Sequence, residues 1–122
     1  MAKILVVSAD RIAADAVTDI LAEGGHSATV MSGIESAVEH LRGHSFDVVI
    51  TDAFGRAAPG ELDWKAMRAL LDVAEDVPVV LCSEWLTEAA TAEAEDRFAD
   101  IIWKPLDPDD LVERVNATMA GD

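Results

Sequence analysis

The stretch Phe46-Asp-Val-Val-Ile-Thr-Asp52 places a β-branched apolar run directly before a carboxylate. Val48, Val49 and Ile50 predict a buried strand, because a strand covered on both faces carries apolar residues at consecutive positions. Asp52 then stands where that strand ends. In open α/β sheets, ligands bind outside the carboxyl ends of the strands. Asp52 is therefore the first candidate for a functional residue.

Predicted strands and helices alternate on both sides of this stretch. Apolar residues at helical spacing predict five helices, and short apolar runs between them predict five strands. The predicted strands are Lys3–Val7, Ala28–Met31, Val48–Thr51, Val79–Cys82 and Ile101–Trp103. The predicted helices are one with its apolar stripe from Ile12 to Leu21, ended by Gly24 and Gly25, then Ile34–Arg42, Trp64–Ala74, Thr87–Arg97 and Asp109–Met119. This alternation predicts a single α/β domain over residues 1–122, with a parallel sheet and right-handed crossovers.

The charge balance limits the classes of partner. The 122 residues include 24 acidic and 9 basic side chains, a formal net charge of -15. Such a chain repels nucleic acid phosphates and anionic lipid, and it favours basic partners. No apolar run approaches the ~20 residues that span a membrane. The single cysteine, Cys82, and the lack of an apolar leader predict a cytoplasmic protein without disulfides.

Polar side chains follow four of the predicted strands. Strand 1 is followed by Ser8-Ala9-Asp10, strand 3 ends at Asp52, strand 4 is followed by Ser83, and strand 5 by Lys104-Pro105. Because parallel strands end at one edge of the sheet, we expect these groups to converge. A carboxylate can act as a nucleophile toward phosphorus. An ammonium and a hydroxyl can stabilise the added phosphoryl oxygens.

This set resembles the response regulator receiver domain of two-component signalling, over nearly the whole chain. Asp52 matches the phosphoacceptor, Ser83 the Ser/Thr after strand 4, and Lys104-Pro105 the lysine with its cis-peptide proline. The resemblance implies a flavodoxin-like, doubly wound (βα)5 fold with sheet order 2-1-3-4-5. It also implies phosphoryl transfer to Asp52 from a sensor histidine kinase or phosphotransfer protein, in a protein that is not otherwise an enzyme. A downstream protein partner would read the result.

Several positions depart from the family pattern. Ser8 and Ala9 stand where the family has two acids that help to bind magnesium, so we predict weak Mg²⁺ binding or none. The remaining candidate ligands are Asp52, the backbone carbonyl of Phe54 and Asp10, which is alternatively an N-cap of the first helix. Ser8 offers at best a hydroxyl acting through water. The loop after Asp52 is longer than usual, and Ile101 replaces the family's switch aromatic residue.

Four apolar residues form the predicted partner surface. Trp85 and Leu86 precede the fourth helix, and Trp103 and Leu106 flank the end of the fifth strand. Tryptophan is enriched at interface hot spots, so these residues suggest a docking patch for a protein or for a second copy of the chain. The alternative is that Trp103 packs into the sheet and only Trp85 is exposed.

The sequence is compatible with three functions. The first is a stand-alone receiver domain in a phosphorelay, with Asp52 as nucleophile and Ser83 and Lys104 as phosphoryl stabilisers. The second is a phosphorylation-independent adaptor in which these residues are inherited architecture. The third is a small flavin-binding protein, which would require a glycine- and hydroxyl-rich phosphate loop after the first strand that this sequence lacks.

Overall fold

A computed structural model describes residues 2–53 and 62–120. Its strands are β1 (Lys3–Val7), β2 (Ser27–Met31), β3 (Val48–Asp52), β4 (Val79–Ser83) and β5 (Asp100–Trp103). Its helices are α1 (Arg11–Glu23), α2 (Ile34–Gly43), α3 (Trp64–Ala74), α4 (Glu88–Arg97) and α5 (Pro108–Ala120). The strands form one parallel sheet in the order β2-β1-β3-β4-β5, which confirms the predicted flavodoxin-like topology.

Helices cover both faces of the sheet. One apolar cluster joins Leu5 and Leu81 to buried residues of α2, α3 and α4, and the other joins Ile4 and Val80 to α1 and α5. Side chains alternate between the faces along each strand, so β1 and β4 contribute to both clusters. This arrangement explains why the central strands carry consecutive apolar residues, at positions 4–7, 48–50 and 79–82.

Local signals fix the ends of the helices. Asp10, Asp63 and Thr87 accept hydrogen bonds from backbone N–H groups at the start of α1, α3 and α4. Thr87 was predicted as the first residue of the fourth helix and is instead its N-cap, because its hydroxyl bonds the free N–H of Ala90. Gly24 caps α1 as predicted, and Gly25 follows with a φ of 86°.

The carboxyl ends of β1, β3, β4 and β5 meet at one edge. Val7 pairs with Thr51, Asp52 with Cys82, and Ser83 with Trp103. Asp52 and Ser83 belong to these pairs, and Ser8 and Lys104 directly follow Val7 and Trp103, so the residues that the sequence singled out lie at this edge. The topology therefore brings the candidate groups to one place before any side-chain contact is considered.

Candidate active site at the sheet edge

Asp52 is the last residue of β3 and lies partly in solvent. The four residues before it are buried, whereas the Asp52 side chain is 23% exposed. A carboxylate in this position keeps contact with water while its backbone is fixed by pairing with Cys82 of β4. It is held in place and still open to a reactant.

Lys104 pairs with one oxygen of this carboxylate. Its Nζ lies 3.2 Å from Asp52 Oδ1, and its side chain is 22% exposed. The backbone N–H of Lys104 donates to the Ser83 carbonyl at 2.8 Å, which extends the β4–β5 pairing by one residue. The peptide bond between Lys104 and Pro105 is cis, as the resemblance implied. The predicted meeting of Asp52 and Lys104 is observed.

Ser8 contacts the second oxygen. Its Oγ lies 2.5 Å from Asp52 Oδ2, at the short end of the range for a hydroxyl and a carboxylate. The sequence suggested Ser8 only as a magnesium ligand acting through water and did not predict this direct contact, which arises because Ser8 directly follows β1, the strand that pairs with β3. Both carboxylate oxygens of Asp52 therefore have a hydrogen-bond donor within the protein.

Asp10 caps a helix. Its Oδ1 accepts hydrogen bonds from the backbone N–H groups of Ile12 and Ala13 at 3.0 and 3.1 Å. Of the two roles that the sequence left open, the structure shows the N-cap. Moving Asp10 toward Asp52 would leave two N–H groups of α1 without this partner, a loss of about 1 kcal/mol for a typical cap.

Ser83 lies at the edge but is oriented away from the acid. Its side chain is buried, and its Oγ donates to the backbone carbonyl of Trp85 at 3.2 Å. The sequence predicted a hydroxyl near the acid and could not predict this rotamer. Ser83 is positioned to approach an added group on Asp52 only after it leaves the Trp85 carbonyl.

Cys82 lies beside the site but is not a nucleophile. Burial, followed by the charge of Asp52, raises the pKa of its thiol to about 12. Since the thiolate is the reactive form, Cys82 stays protonated and inert at neutral pH. This agrees with its expected role as a small apolar residue of a buried strand.

The donors that the described part of the chain places at this edge do not fit a resident magnesium ion. Mg²⁺ requires near-octahedral oxygen ligands and is usually bound through one or two carboxylates. Asp52 supplies one carboxylate that is already hydrogen bonded on both oxygens, Ala9 supplies no side-chain donor, and Asp10 caps α1. Within residues 2–53 and 62–120, no group of three or more His, Cys, Asp or Glu side chains could hold a metal ion. The predicted ligand Phe54 and the longer loop lie outside the described residues.

The predicted partner surface is only partly exposed. Trp85 and Trp103 are 59% and 43% exposed, so the alternative in which Trp103 packs into the sheet is wrong. Leu86 does not belong to this surface, because it is 7% exposed and lies in the apolar cluster that α4 covers. Leu106 is half-buried against the cluster on the opposite face. We name Trp85 and Trp103 together the tryptophan face.

The structure contains three features that the resemblance to receiver domains implied. They are the sheet order, the Asp52–Lys104 pair and the cis Lys104–Pro105 bond. The family model of the response regulator receiver domain matches residues 4–116. The chain belongs to this family. Receiver domains are modules of two-component signalling, and this membership argues against the flavin hypothesis. No helix of the described part is long and apolar enough to cross a membrane.

Solved structures show the same fold at low sequence identity. The receiver domain of Francisella response regulator 1452 is 22% identical, with a TM-score of 0.79 and coverage of 99% of this chain and 98% of the other. Vibrio cholerae chemotaxis response regulator CheY4 is 18% identical, with a TM-score of 0.79 and coverage of 97% and 98%. The receiver domain of sensor histidine kinase PA1611 from Pseudomonas aeruginosa, which has magnesium coordinated in its active site cleft, is 16% identical, with a TM-score of 0.79 and coverage of 98% of each chain. No curated protein sequence matches this receiver domain significantly.

Proposed function

We propose that this receiver domain accepts a phosphoryl group on Asp52 and signals through contact with partner proteins. The observation that carries the proposal is the ion pair of Asp52 and Lys104 at the open edge of the sheet, 3.2 Å apart and partly exposed. The phosphodonor would be a sensor histidine kinase or a phosphotransfer protein. PA1611, whose receiver domain shares this fold, is a sensor histidine kinase.

The chemistry requires little of the protein beyond position and charge. An Asp52 oxygen attacks the phosphorus of a phosphohistidine, and an O–P bond forms as the P–N bond breaks. The imidazole leaves with the bonding electron pair and takes up a proton from water, and the product is an acyl phosphate. Lys104 would offset the added negative charge. Ser83 would bond a phosphoryl oxygen once its hydroxyl turns from the Trp85 carbonyl.

Intact mass after incubation with acetyl phosphate tests this proposal. We expect one phosphoryl-sized gain in the wild type and none in Asp52→Asn, because the amide is not a nucleophile toward phosphorus. The incubation is run with and without Mg²⁺. A gain that persists in Asp52→Asn, or no gain from either acetyl phosphate or phosphoramidate, would contradict the proposal.

A second candidate, a phosphorylation-independent adaptor, is favoured by one observation. Ser8 and Lys104 already engage the two carboxylate oxygens of Asp52, so the site is satisfied without a phosphoryl group. Under this hypothesis Asp52 stays unmodified, and Asp52→Asn binds the partner as well as the wild type does. The same mass measurement separates the two functions.

The tryptophan face is the proposed contact surface for the partner. Ser83 pairs with Trp103 across β4 and β5, and its hydroxyl bonds the Trp85 carbonyl, so the two tryptophan backbones are held close together. Residues 84–120 contain ten acidic and three basic side chains, a denser negative charge than in the rest of the chain. Lysine and arginine bind both to acids and to indole faces. We therefore expect a partner segment rich in basic residues.

Titration with an oligo-arginine peptide tests this surface. We expect Trp85→Ala and Trp103→Ala each to weaken binding about fivefold, the loss of one exposed cation–π contact of ~1 kcal/mol. Trp64→Phe is the matched control, because half-buried Trp64 belongs to α3 and packs against the core. Isothermal titration calorimetry measures the affinities. Equal affinities for all four proteins would show that binding reflects net charge alone.

A further inference from the structure

We propose that the Ser8 hydroxyl takes the place of a divalent cation beside Asp52, so that this receiver domain holds its acid without magnesium. The hydroxyl oxygen lies 2.5 Å from Asp52 Oδ2. Lys104 engages only the other oxygen, Oδ1, at 3.2 Å. A cation would have to displace Ser8 to reach Oδ2, or share that oxygen with its proton.

Ser8 is held in place by contacts that do not involve Asp52. Its backbone N–H donates to the Met31 carbonyl at 3.0 Å, and its side chain is buried. The backbone N–H of Asp10 donates to Ser8 Oγ at 3.2 Å. The hydroxyl has one proton and two acceptors in reach, the Asp10 carbonyl at 3.2 Å and the carboxylate at 2.5 Å. The shorter distance and the negative charge direct the proton to Asp52.

The charges agree with this assignment. Asp52 and Lys104 carry one opposite charge each, and Ser8 and Ala9 carry none, so the four residues are neutral together. Aspartates at positions 8 and 9 would leave the same four positions with a charge of -2, which a divalent cation neutralises. The substitution of two acids thus removes both the ligands and the charge that would attract the ion.

Ser8 takes this role in the unphosphorylated site, whether or not Asp52 later accepts a phosphoryl group. A failure of phosphorylation in the mass experiment leaves this role standing, and its own test measures metal binding rather than activity. In this role Ser8 acts against cation binding. Its hydroxyl competes with a cation for Asp52, whereas a metal ligand would help to bind the cation.

If the Ser8 hydroxyl competes with a cation for Asp52, removing the hydroxyl should raise the affinity for the cation. Ala9→Asp adds one carboxylate at an exposed position, and Ser8→Ala in that background frees Asp52 Oδ2. We expect the Ser8→Ala/Ala9→Asp protein to bind Mn²⁺ at least about threefold more tightly than Ala9→Asp alone, since the cation no longer displaces a hydrogen bond. Electron paramagnetic resonance of free Mn²⁺ measures the affinities. Weaker binding by the double variant would overturn the proposal, because Ser8 would then be a ligand.

Thermal unfolding supplies a second readout. We expect the midpoint of the wild type to be the same with and without Mg²⁺, and Ser8→Ala to lower it by about 4 °C, as expected for one lost hydrogen bond. Ser8→Thr keeps the hydroxyl and restores the midpoint, and Ser45→Ala, at an exposed serine, is the matched control. A Mg²⁺-dependent rise in the wild-type midpoint, or a Ser8→Ala midpoint equal to that of the wild type, would also overturn the proposal.

Discussion

Leu81→Ala is expected to lower the free energy of unfolding by about 2–5 kcal/mol. Leu81 lies in the middle of β4, pairs with Thr51 and Ile101, and is fully buried. Truncation removes its apolar surface from the core and leaves a cavity, because strands on both sides prevent the site from collapsing. The loss is large for a domain whose total stability is about 5–15 kcal/mol. Urea unfolding followed by circular dichroism measures it.

Ile12→Ala is the matched control for this experiment. Ile12 is 83% exposed on the first turn of α1, so its truncation removes no buried surface. Alanine also has the higher helix propensity, and we expect a change within about 0.5 kcal/mol. Equal losses in the two variants would contradict the assignment of Leu81 to the core. A change in the urea slope would show that the variant alters the compactness of the native or denatured state or no longer unfolds in two states.

Leu81 also illustrates why the fold could be predicted from the sequence. β1, β3 and β4 each contain three or four consecutive apolar residues, a pattern typical of strands covered on both faces. α3 begins and ends where its apolar spacing predicted, at Trp64 and Ala74. The order of the strands, in contrast, came from the resemblance. Alternation alone fixes a parallel sheet but not which strands are neighbours.

The sequence predicts the backbone positions of the site residues but not the orientation of all their side chains. Topology and chain direction place Asp52 and Lys104 at one edge, and a lysine there has the length to reach the acid. Ser83 was placed correctly, but the choice of its hydroxyl between Asp52 and the Trp85 carbonyl depends on one torsion angle. The hydrogen bond from Ser8 to Asp52 was not predicted, because Ser8 was considered only as a metal ligand in place of the family's acids. A signal was available, since Ser8 directly follows β1, the neighbour of β3.

Leu86 shows a different limit of sequence reasoning. Its neighbour Trp85 is exposed, and the residue pair has the composition of an interface patch. α4 is rich in alanine and glutamate, so it offers a weak apolar face of its own. The buried side of the segment is therefore completed by Leu86, which lies with Ala90 and Ala94 in the core cluster. Only the packing of α4 on the sheet distinguishes the two neighbouring residues.

Lys104→Met is expected to lower the rate of acyl phosphate formation on Asp52 by about 100-fold, if the proposed function holds. The ammonium lies 3.2 Å from Asp52 Oδ1 and is the one basic group that the described residues place on this carboxylate. Phosphoryl transfer builds negative charge at that point, and methionine keeps the length of the side chain without its charge. Time-resolved intact mass with acetyl phosphate gives the rate.

The same variant separates a catalytic from a structural lysine. Lys104 and Asp52 are both partly exposed, so their pairing should contribute less than about 1 kcal/mol to folding. We expect unfolding in urea to change little while the rate falls, and Lys65→Met, at an exposed lysine of α3, to change neither. A loss of several kcal/mol in the free energy of unfolding, with an unchanged rate of acyl phosphate formation, would show that the role of Lys104 is structural. Lys104 would then stabilise the sheet edge through its ion pair with Asp52 and would not assist phosphoryl transfer.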